Sequence, residues 1–160
     1  MANGVSGEML DFKDKVVLIT GAAQGFGRVL ANAFAERGAK LALCDINDEG
    51  GEETLAQVTA QGADGFYQHA DISQESDVEG FVAATVARFG RLDVAINNAS
   101  QEISGPTLDL PSEDFGTVID TNLKGTYYGM KHQARRCERT AAGRSSTRPR
   151  SGKAADLPAE

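Results

Sequence analysis

Thr20-Gly21-Ala22-Ala23-Gln24-Gly25-Phe26-Gly27 follows the aliphatic run Val16-Val17-Leu18-Ile19 and opens a segment of helical periodicity. An unbroken aliphatic run is how a parallel strand buried on both faces reads. Glycines spaced through the turn from such a strand into a helix allow backbone to approach a phosphate closely, because they lack a Cβ and tolerate positive φ. Gly21 suits the sharp turn, Gly25 leaves the N–H groups beside Gln24 and Phe26 accessible, and Gly27 lets helix and strand pack closely. The helix N-terminus adds unpaired N–H donors and the positive end of its dipole. Taken alone, the turn is equally compatible with a glycine-rich connection that holds no ligand, so its surroundings have to decide.

Outward from this turn, strand and helix patterns alternate. Strands are expected over 15–20, 41–45, 65–70 and 93–96, each a short apolar run ended by Gly, Asp or Asn. A helix is expected over 26–38, with Val29, Leu30, Ala33 and Phe34 at core spacing and Gly38 as its stop. A second runs over 47–62 with Leu55 and Val58 on one face, and a third from an N-cap at Ser73 to Gly90 with Val78, Phe81, Val82 and Val86. A helical pattern over 112–136 carries Phe115, Val118, Ile119, Asn122 and Leu123. Strands separated by helices of this length make an α/β, Rossmann-type doubly wound parallel sheet.

Asp45 lies 18 residues after Gly27, at the end of the second expected strand. A carboxylate there can accept both hydroxyls of an adenosine ribose and would repel a 2′-phosphate. No basic residue lies in the glycine turn before Arg28, and Ile46 follows Asp45, so the spacing favours NAD over NADP.

Composition narrows the alternatives. The 160 residues, 41% apolar and 24% charged, suffice for one domain without a disulfide or metal staple. A net charge of −7 disfavours nucleic acid and anionic membrane as partners, and 6% aromatics without tryptophan disfavours base stacking. No apolar run approaches membrane-spanning length, and residues 1–12 lack the features of a signal peptide. Cys44 and Cys137 show no ligand spacing with the two histidines, so no metal is expected. A soluble, cytoplasmic protein is expected.

The glycine pattern, Asp71 closing the third strand, Asn97-Asn98-Ala99 after the fourth, and Asp120-Thr121-Asn122-Leu123-Lys124-Gly125 in the following helix resemble the short-chain dehydrogenase/reductase family, in its order and at its spacing. The resemblance covers about residues 11–136 and implies a sheet of order 3-2-1-4, incomplete because the later strands are missing. It implies that Asp71 and Ile72 flank an adenine ring, that Asn98 and Ala99 line the nicotinamide-side ribose, and that Asn97 stabilises the sheet. Asn122 matches the family's catalytic Asn. Ser100 departs from the usual Gly and narrows the cleft. The implied reaction is hydride transfer between nicotinamide and an alcohol or ketone, with a Tyr as acid/base, a Lys that lowers its pKa and a Ser that polarises the carbonyl. Tyr127 and Lys131 fit Tyr-x-x-x-Lys by count, yet lie only five residues beyond Asn122 with no intervening strand or Ser, so they are expected to pack or face solvent. The family's Ser, Tyr and Lys are therefore expected to be absent and the chain inactive, with the family's oligomer contacts implied for helices 112–136. The alternative is an inactive nucleotide-binding or dimerising fragment.

Residues 137–160 differ in kind from what precedes them. They hold one large aliphatic side chain, Leu157, and five basic against three acidic residues. A dinucleotide-binding domain over 1–136 and a disordered basic tail over 137–160 are expected. Read one base backwards, codons for residues 144–151 can spell Ala-Ile-Val-Asn-Thr-Ala-Ser-Val, which resembles the family's fifth strand and its Ser. A reading frame lost near residue 137 is one expectation; a selected basic tail that binds nucleic acid or a partner is the other.

Overall fold

The computed structural model describes residues 11–144. Its elements run β1 (Val16–Thr20), α1 (Gly25–Ala35), β2 (Lys40–Asp45), α2 (Asp48–Ala60), β3 (Gly65–His69), α3 (Glu75–Phe89) and β4 (Val94–Ile96). Helix α4 (Ser112–Val118), a π-helical turn (Ile119–Gly125) and α5 (Thr126–Arg144) follow without a break. The sheet order is β3-β2-β1-β4 and every pairing is parallel, as expected.

All five residues of β1 are buried, as are Leu41, Ala42, Leu43 and Cys44 of β2, because these strands are covered on both faces. Their side chains alternate between two cores. Val17, Ile19, Leu41 and Leu43 pack with Ala31 and Ala35 of α1 and Val58 of α2. Val16, Leu18, Ala42 and Cys44 pack on the opposite face with Phe81 and Val82 of α3 and with Leu92. Burial of Phe81 alone removes enough apolar surface that truncation to alanine would cost about 3–5 kcal/mol. Burial likewise pushes the Cys44 thiol pKa up, with Asp45's charge adding to it.

Helix α5 docks on α3 through Glu75, whose Oε1 accepts from Lys131 Nζ at 2.6 Å and lies 3.0 Å from His132 Nε2. The Lys131 hydrogen bond, then that of His132, lowers the Glu75 pKa, and Glu75 in turn raises that of Lys131.

Three local expectations need correction. Val29 is 60% exposed, because the buried stripe of α1 passes through Ala31 and Ala35 instead. Ser73 is not the N-cap of α3; Gln74 holds that position, and the Ser73 N–H is taken by Asp71 Oδ1 at 2.9 Å. The segment 112–136 is not one α-helix but is interrupted by the π-helical turn. Beyond these three, helix α5 runs on to Arg144, through the first eight residues of the stretch 137–160 expected as a disordered tail; the rest of that stretch, 145–160, lies outside the described residues.

Candidate functional site

Chain order reverses between β1 and β4: the sheet grows from β1 through β2 to β3 on one side, then resumes at β4 on the other. Such a switch opens a crevice at the carboxyl ends of the strands, which is where open parallel sheets bind ligands. A cavity of about 680 Å³ lies there. It is lined by Gly21, Gln24 and Phe26 of the glycine turn, Asp45 to Asn47 at the end of β2, Ala70 to Ser73 after β3, and Asn98 to Glu102 after β4. Thr117, Asp120 and Thr121 close it from the helical side. Nine of the residues expected to touch a cofactor thus meet in one space: Gly21, Gln24, Phe26, Asp45, Asp71, Ile72, Asn98, Ala99 and Ser100.

Gly25 and Gly27 act from behind. Gly25 has φ +54° and only open space where a Cβ would stand, between the lining residues Gln24 and Phe26. A Cβ on Gly27 would lie 2.0 Å from Gly21 O, which makes this position a contact between α1 and the strand end. The first N–H groups of α1 have no intrahelical acceptor, and Gln24 at the N-cap makes no side-chain capping bond. This cradle suits the pyrophosphate of a dinucleotide.

The Asp45 carboxylate accepts from Ala23 N–H (2.9 Å) and Asn47 N–H (3.0 Å), one bond to each oxygen. Each oxygen retains a lone pair that can accept a ribose hydroxyl. Behind it, Tyr67 Oη lies 2.8 Å from the Asp45 carbonyl and 2.9 Å from Asp48 Oδ1, two acceptors that share its single proton. His69 Nδ1 also lies 2.9 Å from Asp48 Oδ1, and the bonds from His69 and then Tyr67 lower the Asp48 pKa.

On the β4 side, Thr20 Oγ1 accepts from the N–H groups of both Asn98 (3.0 Å) and Ala99 (3.1 Å), and Asn98 Nδ2 donates to the carbonyls of Thr20 and Gly21, both at 3.1 Å. Asn97 faces the other way. Its side-chain amide exchanges two hydrogen bonds with Gln133 of α5, at 2.9 and 2.8 Å, and so ties the end of β4 to that helix. Asn122 stands in the π-helical turn, outside the cavity lining. Its side chain accepts from Gln101 N–H (2.8 Å) and donates to Gln101 O (2.9 Å), which anchors the loop after Ser100.

The sequence reading gives no role to Thr20, Thr54 or Gln101. Thr54 Oγ1 donates to the Ala22 carbonyl at 2.9 Å from the buried side of α2. Its only local trace is a polar residue in a weakly amphipathic helix. Tyr127 and Lys131 do not line the cavity; Tyr127 is 55% exposed and Lys131 is held by Glu75. The cavity lining among the described residues includes no Tyr, Lys, His or Cys. Among the described residues, no helix is long and apolar enough to cross a membrane.

Residues 15–144 match the family model described as short chain dehydrogenase. Levodione reductase of Leifsonia aquatica is 43% identical over 123 residues, covering 75% of this chain and 46% of that protein. The CLA biosynthesis dehydrogenase/reductase of Lactiplantibacillus plantarum is 40% identical over 123 residues, covering 77% of this chain and 43% of that protein. Among solved structures, NAD+-bound xylitol dehydrogenase superposes with a TM-score of 0.79 at 33% identity, over 82% of this chain and 51% of that one. The crystal structure of levodione reductase gives 0.78 at 39% identity, over 81% and 51%. The chain spans about half the length of the relatives it matches.

Proposed function

The chain belongs to the short-chain dehydrogenase family, and we propose that the cavity at the β1–β4 switch binds a nicotinamide dinucleotide, NAD in preference to NADP. The observation that carries this reading is Asp45, whose carboxylate is pinned by two backbone N–H groups at the rim of the cavity with lone pairs to spare for a ribose. In this reading Asp71 and Ile72 flank the adenine, the start of α1 faces the pyrophosphate, and Asn98, Ala99 and Ser100 border the nicotinamide-side ribose. When bound, the dinucleotide supplies hydride transfer to or from an alcohol or ketone.

In this reading the described stretch binds the dinucleotide without turnover, since Tyr127 is exposed and Lys131 is held by Glu75. Asn122 matches the family's catalytic Asn, and its bonds to Gln101 give it a positioning role here. Phe115, Leu123, Tyr127 and Met130 are all more than half exposed along α4, the π-helical turn and α5. That apolar stripe supports association with a second copy of the chain. A cytoplasmic location belongs to the same proposal.

Titration calorimetry of the full chain with NAD and NADP tests the reading. NAD is expected to bind more tightly, and Asp45→Ala to weaken NAD by about tenfold or more while NADP is unchanged or improved. Equal affinity of the wild-type chain for both dinucleotides would refute the role given to Asp45.

A further inference from the structure

The glycine turn is held by a side chain that never enters the cavity. Arg28, the fourth residue of α1, folds back across the turn. Its Nε and Nη2 both donate to the Ala23 carbonyl, the former at 3.1 Å. The same Nη2 lies 3.3 Å from the Gly50 carbonyl and 2.8 Å from Glu53 Oε2, both on α2. Ala23 itself is 1% exposed, and its N–H is the donor that fixes Asp45 Oδ2 at 2.9 Å. One buried peptide residue therefore connects a guanidinium on its carbonyl side to the ribose-reading carboxylate on its amide side. A cation in the first turn of a helix opposes the helix dipole, so the dipole does not account for an arginine here. The forked guanidinium can engage a carbonyl through two nitrogens and an anchoring carboxylate together, which a lysine ammonium cannot reproduce. Gly50 permits the approach: a Cβ there would lie 2.8 Å from Ala23 O.

We propose that Arg28 is a positioning residue for cofactor selectivity: anchored by Glu53 and Gly50, it clamps the Ala23 carbonyl and so holds the Ala23 N–H that orients Asp45. This rests on the dinucleotide reading above and deepens it. Arg28 sets how well the site tells a ribose hydroxyl from a 2′-phosphate without touching either.

The test uses the full-length chain as wild type, Arg28→Lys and Glu53→Gln. Arg28→Lys keeps the charge and loses the fork. It is expected to weaken NAD by about tenfold and to lower the NAD-over-NADP affinity ratio by about threefold or more, measured by calorimetry. Glu53→Gln keeps the shape of the anchor and should shift the ratio in the same direction by a smaller factor. A purely structural role would weaken both dinucleotides alike, so an unchanged ratio in Arg28→Lys overturns the proposal. Amide hydrogen exchange of Ala23 without nucleotide gives a separate readout, expected to quicken by about tenfold in Arg28→Lys; unchanged exchange also overturns it. If the wild type binds neither dinucleotide, the dinucleotide reading fails, and the clamp on Ala23 is still decided by that amide.

Discussion

Gly27→Ala tests the close packing on which the site depends. A Cβ at Gly27 would stand 2.0 Å from Gly21 O and 2.8 Å from both Gly21 C and Asn98 Nδ2, whereas ordinary contact begins at 3.4 Å. None of these atoms is the free end of a flexible chain. Gly21 is backbone at φ +68°, and Asn98 Nδ2 is committed to the carbonyls of Thr20 and Gly21. Helix α1 must therefore retreat from the strand end by about 1 Å or more, at an overpacking cost of about 1–3 kcal/mol. Weakening the two Asn98 bonds adds about 1 kcal/mol. The expected loss of about 3 kcal/mol corresponds to a fall in Tm of about 10 °C for a domain of this size. Gly80→Ala is the control, because Gly80 lies inside α3 with nothing within 4 Å of its would-be Cβ. Alanine there should raise stability by up to about 1 kcal/mol through helix propensity. Thermal denaturation of the two variants, followed by circular dichroism, is sufficient. A Gly27→Ala chain that melts within about 2 °C of wild type would show that helix and strand end do not meet as described.

Two further outcomes follow from the hydrogen bonds. Thr20→Val preserves shape but removes the oxygen that accepts from both Asn98 and Ala99 N–H; because Thr20 is 4% exposed, a loss of about 2 kcal/mol is expected from urea denaturation. Glu75→Gln removes the ion pair joining α3 to α5. Its effect depends on pH with a definite sign, since the Lys131 and His132 hydrogen bonds lower the Glu75 pKa from 4.5 while Glu75 raises that of Lys131 from 10.5. The pair's contribution is present at neutral pH, fades as pH falls through the lowered carboxyl value, and fades again as pH rises through the raised lysine value. The Tm difference between wild type and Glu75→Gln should therefore close at both extremes, and a difference that grows in acid would contradict the sign.

What the sequence disclosed and what it withheld divide along a physical line. The β1 run, the three glycines of the turn, Asp45 and Asp71 are legible because their demands are local: aliphatics for a strand covered on both faces, absent Cβ atoms, and acidic residues at strand ends. The π-helical turn was not legible, because tertiary contacts hold it in place. Gly125 at its end would place a Cβ 2.7 Å from Ile72 Cδ1, and Asn122 within it is bound to the backbone of Gln101. Both partners lie on the wall of the cavity. Gly129, one helical turn further, would place a Cβ 2.3 Å from Asn97 Oδ1. Positions 125 and 129 therefore let this helical stretch sit close against the loop after β3 and the end of β4. The signal was present as two glycines four apart, but in a segment read simply as helix it marked only a weakened propensity. Thr54, Arg28 and Gln133 were hidden for the complementary reason. Polar side chains in helices ordinarily face water, and only the assembled fold turns these three toward the carbonyls of Ala22 and Ala23 and the amide of Asn97. The legible residues are those expected to meet the cofactor, and the hidden ones hold them still, so substitutions outside the recognisable motifs should alter affinity while leaving every motif intact.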